Sequence, residues 1–208
     1  MLYQWGRKDG FPGADGSTIS ATVKTIPIYG ANENALTEGS ATGLHFVNIM
    51  TSGVLSENTS QIYVIKNPLA FICGVSSLYD WYTDKESFQN NVLWGNGTDK
   101  SVFDPCPKGW RVPTDGSWGD FSVSSMPASG SGANVANGRI YYAIAWYPAA
   151  GRRLSGSGAL YYAGSSGTFR SSTSSGVYAK HMSFDMSDVG SSNTNSRAYS
   201  FSVRCVQE

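Results

Sequence analysis

Over most of the chain, hydrophobic and polar residues alternate in short runs, which is the period of a half-buried β-strand. Runs of this kind occupy residues 19–23 and 45–50 and predict edge strands separated by polar turns. Residues 61–65 predict a further strand that ends at Asn67-Pro68, because the residue before a proline is forced into an extended conformation. Helix is predicted only as a turn within 84–94 and as a short segment from Thr114-Asp115 to Phe121.

The composition changes after Ser122, where Gly, Ser, Ala, Tyr and Asn dominate. Short strands are predicted at 139–147, 178–184 and 201–206. A Gly/Ser-rich composition can indicate a flexible linker. Here aromatic residues recur throughout the stretch, so we interpret it as an ordered, loop-rich sheet.

The overall composition excludes two classes of protein. At 208 residues the chain is expected to form a single domain over 1–208. Its formal net charge is zero and only 14% of residues are charged, so it offers no basic surface for nucleic acid. No apolar run approaches the ~20 residues of a membrane span. The N-terminus lacks the form of a signal peptide, so a secreted protein would either be represented here without its leader or be exported by another route.

Candidate catalytic patterns are weak. The two histidines, His45 and His181, have no second ligand at metal spacing, so neither a metal nor another cofactor is predicted. The Gly-Ser-Gly triplets at 130–132 and 156–158 lack the third glycine of a dinucleotide-binding loop. The carboxylates are sparse and show no calcium-loop spacing. The chain is therefore not predicted to be an enzyme.

The three cysteines leave two interpretations open. Cys106 and Cys205 lie 99 residues apart, and a bridge between them would contribute up to ~4.7 kcal/mol in the chain-entropy model. Cys73 follows an apolar run and is expected to be a buried thiol. Alternatively, all three are reduced core residues of a cytosolic protein.

The segment from Tyr161 to Phe201 has the composition of a contact surface. Tyr and Trp supply rigid contact area while Ser, Gly and Asn supply adaptable hydrogen bonds, as in antibody paratopes. The alternative is that the tyrosines pack between loops and that the serines are simply solvated.

Several stretches together resemble the Fibrobacter succinogenes major paralogous domain of Bacteroidetes, whose C-type-lectin-like fold is shared with formylglycine-generating enzyme. The most specific is Asp104-Pro-Cys-Pro-Lys-Gly-Trp-Arg-Val-Pro113. The others are residues 2–9 (Leu-Tyr-Gln-Trp-Gly-Arg-Lys-Asp), 67–71, 80–82 (Asp-Trp-Tyr), 93–95 (Leu-Trp-Gly), 147–152 (Tyr-Pro-Ala-Ala-Gly-Arg) and 202–206 (Ser-Val-Arg-Cys-Val).

The resemblance implies an α+β, C-type-lectin-like fold that is loop-rich, with small antiparallel sheets and little helix. It also implies that Cys106 pairs with Cys205 and that the chain termini lie near each other. The family usually carries a further segment ahead of Tyr-Gln-Trp-Gly, so the chain is expected to be the C-terminal part of a longer surface protein. The alternative is that the first strand is supplied differently. It departs from the family pattern at Phe169-Arg170-Ser171-Ser172 and at Ser200.

These departures fall in one region and suggest a further resemblance, to the variable proteins of diversity-generating retroelements. In those proteins a stretch before the final strand is mutagenised at adenines, which yields Ser, Asn, Tyr, Thr, Gly, Asp and His. Residues 168–201 are rich in this set. An undiversified member of the family is the alternative.

The resemblance and the composition together predict a binding module rather than an enzyme. It would recognise a protein or glycan on a cell surface, from a pilus tip or another surface adhesin. A phage tail fibre that binds a host receptor is an alternative, and so are an enzyme like formylglycine-generating enzyme and a shaft subunit. The Glu-Pro-Asn and Gln-Pro-Asp motifs of calcium lectins are absent, which argues against calcium-dependent sugar binding. The predicted contact residues lie at about 161–201 and are Tyr161, Tyr162, Phe169, Arg170, Tyr178, Lys180, His181, Ser183, Asn193, Asn195, Arg197 and Tyr199.

Overall fold

The structure is a computed structural model that describes residues 1–13, 28–40, 42–74, 78, 80–95, 99–130 and 137–208. The predicted strand at 19–23 and the second and third residues of the triplet at 130–132 lie outside these residues. The described strands are β1 (Leu2–Gln4), β2 (Ile28–Tyr29), β3 (Ala35–Leu36), β4 (His45–Asn48), β5 (Ala70–Cys73), β6 (Trp110–Arg111), β7 (Gly138–Tyr141), β8 (Ala145–Pro148), β9 (Arg152–Arg153), β10 (Leu160–Tyr161), β11 (Gly167–Ser175), β12 (Tyr178–Phe184), β13 (Val189–Ser196), β14 (Ser200–Ser202) and β15 (Val206–Gln207). The helical elements are the α-helix α1 (Gln61–Lys66) and the 3₁₀ turns Glu86–Phe88 and Asp115–Trp118.

The largest sheet has seven strands in the order β10-β9-β14-β11-β12-β13, with β1 paired to β14. Strands β11, β12 and β13 form a long antiparallel meander. Leu2 of β1 pairs with Ser202 of β14, which brings the two ends of the chain together, as the resemblance implied. The first and last parts of the chain therefore meet within the large sheet.

Four two-stranded sheets surround the large one, pairing β15 with β6, β2 with β3, β4 with β5, and β7 with β8. The prediction of a loop-rich fold with little helix is confirmed. The sheets are not uniformly small and antiparallel, because β4 pairs with β5 in parallel and β11 meets β14 in parallel. Across the described ranges, no helix is both long and apolar enough to span a bilayer.

The strand predicted at 61–65 is wrong, because these residues form α1. The helix is fixed at both ends by contacts that the residue pattern does not reveal. The Ser60 hydroxyl donates to the Trp81 carbonyl (2.6 Å), and the Asn67 amide nitrogen Nδ2 donates to the Tyr63 carbonyl (2.9 Å). The β-branched residues favour a strand only weakly, and this tertiary context overrides that preference.

Other predicted elements are refined. The strand at 178–184 is confirmed as β12, and the helical turns predicted within 84–94 and after Thr114 are the two 3₁₀ turns. Residues 139–147 form a hairpin rather than one strand, since Tyr142 and Ala143 both have positive φ (43° and 60°). The strand predicted at 201–206 is divided between β14 and β15. Strands β11 and β13 were not predicted, because their Ser/Thr/Asn-rich sequences carry no alternating apolar pattern.

Three apolar clusters of described residues hold the elements together. The first contains Trp5, Trp81 and Trp94, and the second packs Tyr147, Phe169 and Phe184 against the 3₁₀ turn at Asp115–Trp118. The third consists of Phe11, Leu44, Phe71 and Cys73. A disulfide joins Cys106 to Cys205, as the resemblance implied, and Cys73 is a buried free thiol, as predicted.

Five arginines are almost completely buried, which is unusual in a chain with so few charges: Arg7, Arg139, Arg153, Arg170 and Arg197. Each guanidinium donates to backbone carbonyls from distant segments. Arg153 Nε, for example, donates to the Pro12 carbonyl at 2.9 Å. These side chains therefore connect loops that have few backbone partners of their own.

Candidate binding site

A cavity of about 470 Å³ opens between the loop that follows β10 and the end of β12. This volume lies within the range of small-molecule sites. The residues that line it are Arg152, Tyr162, Ser165, Ser166, Thr168, Ser183, Phe184, Asp185, Met186, Ser187 and Asp188. The start of β11 and the end of β12 contribute to this lining, so the cavity is a concave surface of mixed polarity at one end of these strands.

The cavity wall depends on the glycine that immediately precedes β9. Gly151 has φ of +68°, and an added Cβ would lie 2.3 Å from the Tyr161 carbonyl oxygen. Its nitrogen donates to the Ser166 carbonyl (2.9 Å), and its own carbonyl accepts from Thr168 Oγ1 (2.9 Å). Only glycine lets the strand approach the loop so closely.

Tyr162 stands at the rim in a strained backbone conformation. Its φ is 59°, which costs a non-glycine residue about 1–2 kcal/mol, and its side chain is 45% exposed. The Tyr162 carbonyl accepts the backbone N–H groups of Ser165 and Ser166, and the ring packs edge-on against Tyr161 at 4.3 Å. Strain that the surroundings enforce in this way is typical of functional positions.

Arg152 differs from the five buried arginines. Its guanidinium carbon lies 5.0 Å from the Tyr162 ring centre and 5.4 Å from that of Tyr199. Its Nε is buried without a partner, and no hydrogen bond or ion pair joins its guanidinium to the described part of the chain. The Tyr162 and Tyr199 rings therefore contact the Arg152 guanidinium through cation–π interactions, while its N–H groups make no hydrogen bond within the described residues.

The opposite wall carries acceptors and hydroxyls. The Asn193 side-chain amide donates to Ser183 Oγ (2.9 Å), which leaves the Ser183 hydroxyl hydrogen free to donate elsewhere. Burial raises the pKa of Asp185, but hydrogen bonds from Ser187 and Asp188 outweigh it, so the pKa is below its ordinary value. Asp185 is therefore an ionised carboxylate at neutral pH.

The structure brings together some of the predicted contact residues. Tyr162 and Ser183 line the cavity, and Tyr161, Asn193 and Tyr199 each contact a lining residue. These five form the candidate site within the predicted region.

Three other predicted residues lie apart from the cavity lining. Lys180 is directed towards the 3₁₀ turn, with its ammonium 3.9 Å from Asp115. Tyr178 is exposed at the start of β12, and Asn195 lies opposite Ala179, where its side-chain oxygen accepts the Ser196 N–H.

For four predicted contact residues the prediction is wrong, because their side chains are between 0% and 4% exposed: Phe169, Arg170, His181 and Arg197. Phe169 belongs to the second apolar cluster. Arg170 lies 4.0 Å above the Phe201 ring, and the His181 ring is 4.8 Å from the same ring. Arg197 donates to loop carbonyls and covers Trp5. The directional hydrogen bonds expected of the two arginines are made inside the protein.

The position of His181 leads to a pH prediction. Burial, together with the positive charges of Arg170 and Arg152, lowers the pKa of His181 from 6.5 to about 3. Between pH 6.5 and pH 3, His181 is therefore protonated in the unfolded chain but neutral in the folded protein. The contribution of His181 to the free energy of unfolding is fully present above pH 6.5 and is lost as the pH falls towards 3. By pH 5.5 this group alone is expected to remove about 1.4 kcal/mol of unfolding free energy.

Denaturant unfolding at several pH values compares the wild type with His181→Phe, which removes the titrating group. The variant should lose less stability than the wild type between pH 8 and pH 5.5. Parallel pH profiles for the two proteins would show that His181 is not buried as a neutral ring.

The sequence analysis missed Arg152, Ser165, Ser166, Asp185 and Asp188 as site residues. The adjacent pair Arg152-Arg153 was a partial signal, since neighbouring residues of a strand point to opposite faces. Which of the two enters the interior is known only from the structure, where Arg153 is buried and Arg152 is half-buried. The carboxylates offered no comparable signal.

Comparison with other proteins does not assign the chain to a family. No model of a protein family matches the chain, and neither a curated protein nor a solved structure matches it. The described residues also contain no group of three or more His, Cys, Asp or Glu side chains that could hold a metal ion. The function must therefore be argued from the site.

Proposed function

We propose that this domain is a ligand-binding module with a C-type-lectin-like fold that recognises a protein or glycan on a cell surface. The observation that carries the proposal is the cavity, where Arg152 has unused donors beside the strained, exposed Tyr162. Arg152 lies in β9 of the large sheet and Tyr162 directly follows β10, and buried arginines connect the neighbouring loops to this sheet. A preformed concave site on a rigid support is the arrangement expected of a binding domain.

Two features support the fold assignment. The first strand pairs with a strand near the C-terminus, and a disulfide ties the Asp104–Pro113 motif to the end of the chain. A disulfide is also consistent with an oxidising compartment, which supports a location at the cell surface. A phage tail fibre would use the same binding chemistry, and neighbouring genes would separate these two settings.

An enzyme resembling formylglycine-generating enzyme would require a reactive thiol. Cys106 and Cys205 are joined to each other, and burial raises the pKa of Cys73 to about 11. A thiol with so high a pKa is almost entirely protonated at neutral pH and is a poor nucleophile. The cysteines therefore favour the binding function.

The retroelement hypothesis adds that the binding face is diversified at adenine-rich codons. The side chains of Ser183, Asn193 and Tyr199 lie at the candidate site, whereas those of Phe169, Arg170 and Arg197 lie in the interior. Diversification of the binding face would therefore change the codons of the first three residues and spare those of the other three. The hypothesis requires a near-copy of the codons for residues 165–205 beside a reverse transcriptase, with its adenine mismatches confined to the first group.

Replacing Tyr162 with Asn tests the proposed function. Asn tolerates positive φ, so the variant is expected to fold with unchanged or slightly increased stability. It removes the exposed ring, so binding of the labelled domain to a panel of intact bacterial and epithelial cells should weaken at least about tenfold.

Tyr142→Asn is the matched control. Tyr142 also has positive φ (43°), is 60% exposed and packs edge-on against its neighbour Tyr141, but it lies in the β7–β8 hairpin. Equal cell binding by the two variants, or no binding by the wild type to any cell, would contradict the proposal.

A further inference from the structure

The cavity combines one unpaired cation with hydroxyls and with carboxylates on the opposite wall. Arg152 contributes the cation, and Asp185 and Asp188 contribute the negative charges. We infer that the cavity binds an acidic saccharide, a sugar that carries a carboxylate, with Arg152 paired to that carboxylate. This inference rests on the proposed function, since it names the ligand class of the same site.

Arg152 indicates an anionic group on the ligand. Its planar guanidinium is fixed between two aromatic rings, which leaves its N–H donors in a defined orientation. A guanidinium matches a carboxylate by two parallel hydrogen bonds, and pre-orientation reduces the entropy lost on binding. Each of the five buried arginines donates to at least one backbone carbonyl, whereas no hydrogen bond or ion pair joins the Arg152 guanidinium to the described residues.

The opposite wall limits the charge of the ligand. Asp185 is ionised and Asp188 is exposed, so a phosphate with nearly two negative charges would be repelled. A carboxylate carries a single charge at one end of a sugar whose remaining groups are neutral. The acidic end can then face Arg152 while neutral hydroxyls face the aspartates.

The remaining polar groups match sugar hydroxyls, which both donate and accept. Asp188 makes no side-chain hydrogen bond or ion pair with the described residues and can only accept, while Ser183 retains a free hydroxyl hydrogen. Ser166 likewise makes no side-chain hydrogen bond to the described chain. Tyr162 adds an amphipathic ring, whose apolar surface suits the C–H face of a sugar.

The size of the cavity favours the end of a glycan over its middle. About 470 Å³ lies towards the lower end of ligand-site volumes. Phe184 and Met186 are apolar lining residues, and Phe184 is only 2% exposed. Four serines, Thr168 and two aspartates also line the cavity, and their polar groups suit a sugar better than an apolar side chain.

Binding to a glycan array and titration with single oligosaccharides test the inference. The probes are oligosaccharides ending in glucuronic acid or N-acetylneuraminic acid, each paired with the same oligosaccharide after reduction of its carboxylate to an alcohol. The wild type should bind at least one acidic form, and reduction should weaken that binding at least about tenfold. R152Q should lose affinity to a similar extent, whereas R152K should retain part of it because the charge remains.

The control variant is Lys180→Gln, which removes one positive charge from β12 outside the cavity lining and should leave affinity unchanged. If R152Q does not fold, the comparison of acidic and reduced probes on the wild type still decides. Equal binding of both forms, preference for sulfated over carboxylated glycans, or undiminished binding by R152Q would overturn the inference.

The inference and the proposed function fail in different ways. Cell binding that depends on Tyr162, survives glycosidase treatment of the cells and is lost after protease treatment would overturn the acidic saccharide and keep the binding module. No binding to any cell or glycan would overturn both.

Discussion

Replacing Arg197 with Met is expected to lower the free energy of unfolding by about 3–5 kcal/mol. The reason is that Arg197 and Asp80 form an ion pair at 3.9 Å in which both side chains are at most 2% exposed. Methionine fills a similar volume but leaves the carboxylate of Asp80 without its charge partner. A buried charge that loses its partner is among the most costly single changes in a protein.

Arg197 also connects segments that are far apart in sequence. Its guanidinium donates to the carbonyls of Gly176 (2.8 Å) and Asn90 (3.3 Å), and it lies 4.7 Å above the Trp5 ring. These contacts join the turn between β11 and β12 to the loop after the first 3₁₀ turn. The variant should therefore lose order in both places.

Lys180→Met is the matched control for Arg197→Met. Lys180 and Asp115 are also separated by 3.9 Å, but each side chain is 25% exposed. Loss of that pair should cost less than about 1 kcal/mol. Denaturant unfolding of both variants at neutral pH measures the difference between the two ion pairs.

Asp80 gives the Arg197 prediction a pH signature. Burial raises the pKa of Asp80, and removal of Arg197 should raise it further. The folded variant then binds a proton more tightly than the unfolded chain, so its deficit relative to the wild type should shrink as the pH is lowered. An Arg197→Met protein with wild-type stability but impaired ligand binding would restore Arg197 as a contact residue and refute its structural role.

The burial of the arginines shows what the sequence could not supply. Arg170 and Arg197 lie in a segment whose composition is that of a contact surface, and composition does not reveal which side chains point inwards. Their acceptors include backbone carbonyls, for example those of Tyr199 and Gly176. Every residue type has a backbone carbonyl, so the sequence does not indicate which one will accept. The partners are therefore chosen by the fold alone.

Local signals were sufficient where the pairing was also local. β12 alternates buried and exposed residues at one end, and Thr114 and Asp115 carry helix-start chemistry, so both elements were predictable. α1 was missed because its ends are fixed by Trp81 and by the Asn67 side chain rather than by its own residues. The cavity was predictable only in part, since Tyr162 and Ser183 belong to the Tyr/Ser-rich region while Arg152 precedes it.

Removing the disulfide by the double change Cys106→Ser and Cys205→Ser is expected to lower the free energy of unfolding by about 2–5 kcal/mol. The bridge closes a loop with a sequence separation of 99, so its loss restores considerable freedom to the unfolded chain. In the folded state β15 pairs with β6 through only two residue pairs, Val206 with Arg111 and Gln207 with Trp110. The C-terminal strand therefore depends on the bridge more than on its own hydrogen bonds.

The loop around Cys106 should survive the loss of the bridge. The Asp104 carboxylate accepts the backbone N–H groups of Cys106 (2.8 Å) and Val112 (2.9 Å), and Lys100 donates to the Trp110 carbonyl at 2.6 Å. Hydrogen exchange should accordingly rise first at β15 and only later in the Asp104–Pro113 segment.

Cys73→Ala separates the bridge from the free thiol. Cys73 takes no part in the disulfide, so this variant should remain as sensitive to reductant as the wild type, whereas the double variant should be insensitive. Unfolding without reductant should expose one reactive thiol in the wild type. Three reactive thiols, or a double variant within about 0.5 kcal/mol of the wild type, would show that the chain folds without the bridge. The terminal strand would then have to be held by other contacts, such as the packing of the partly buried Val203 against the first apolar cluster.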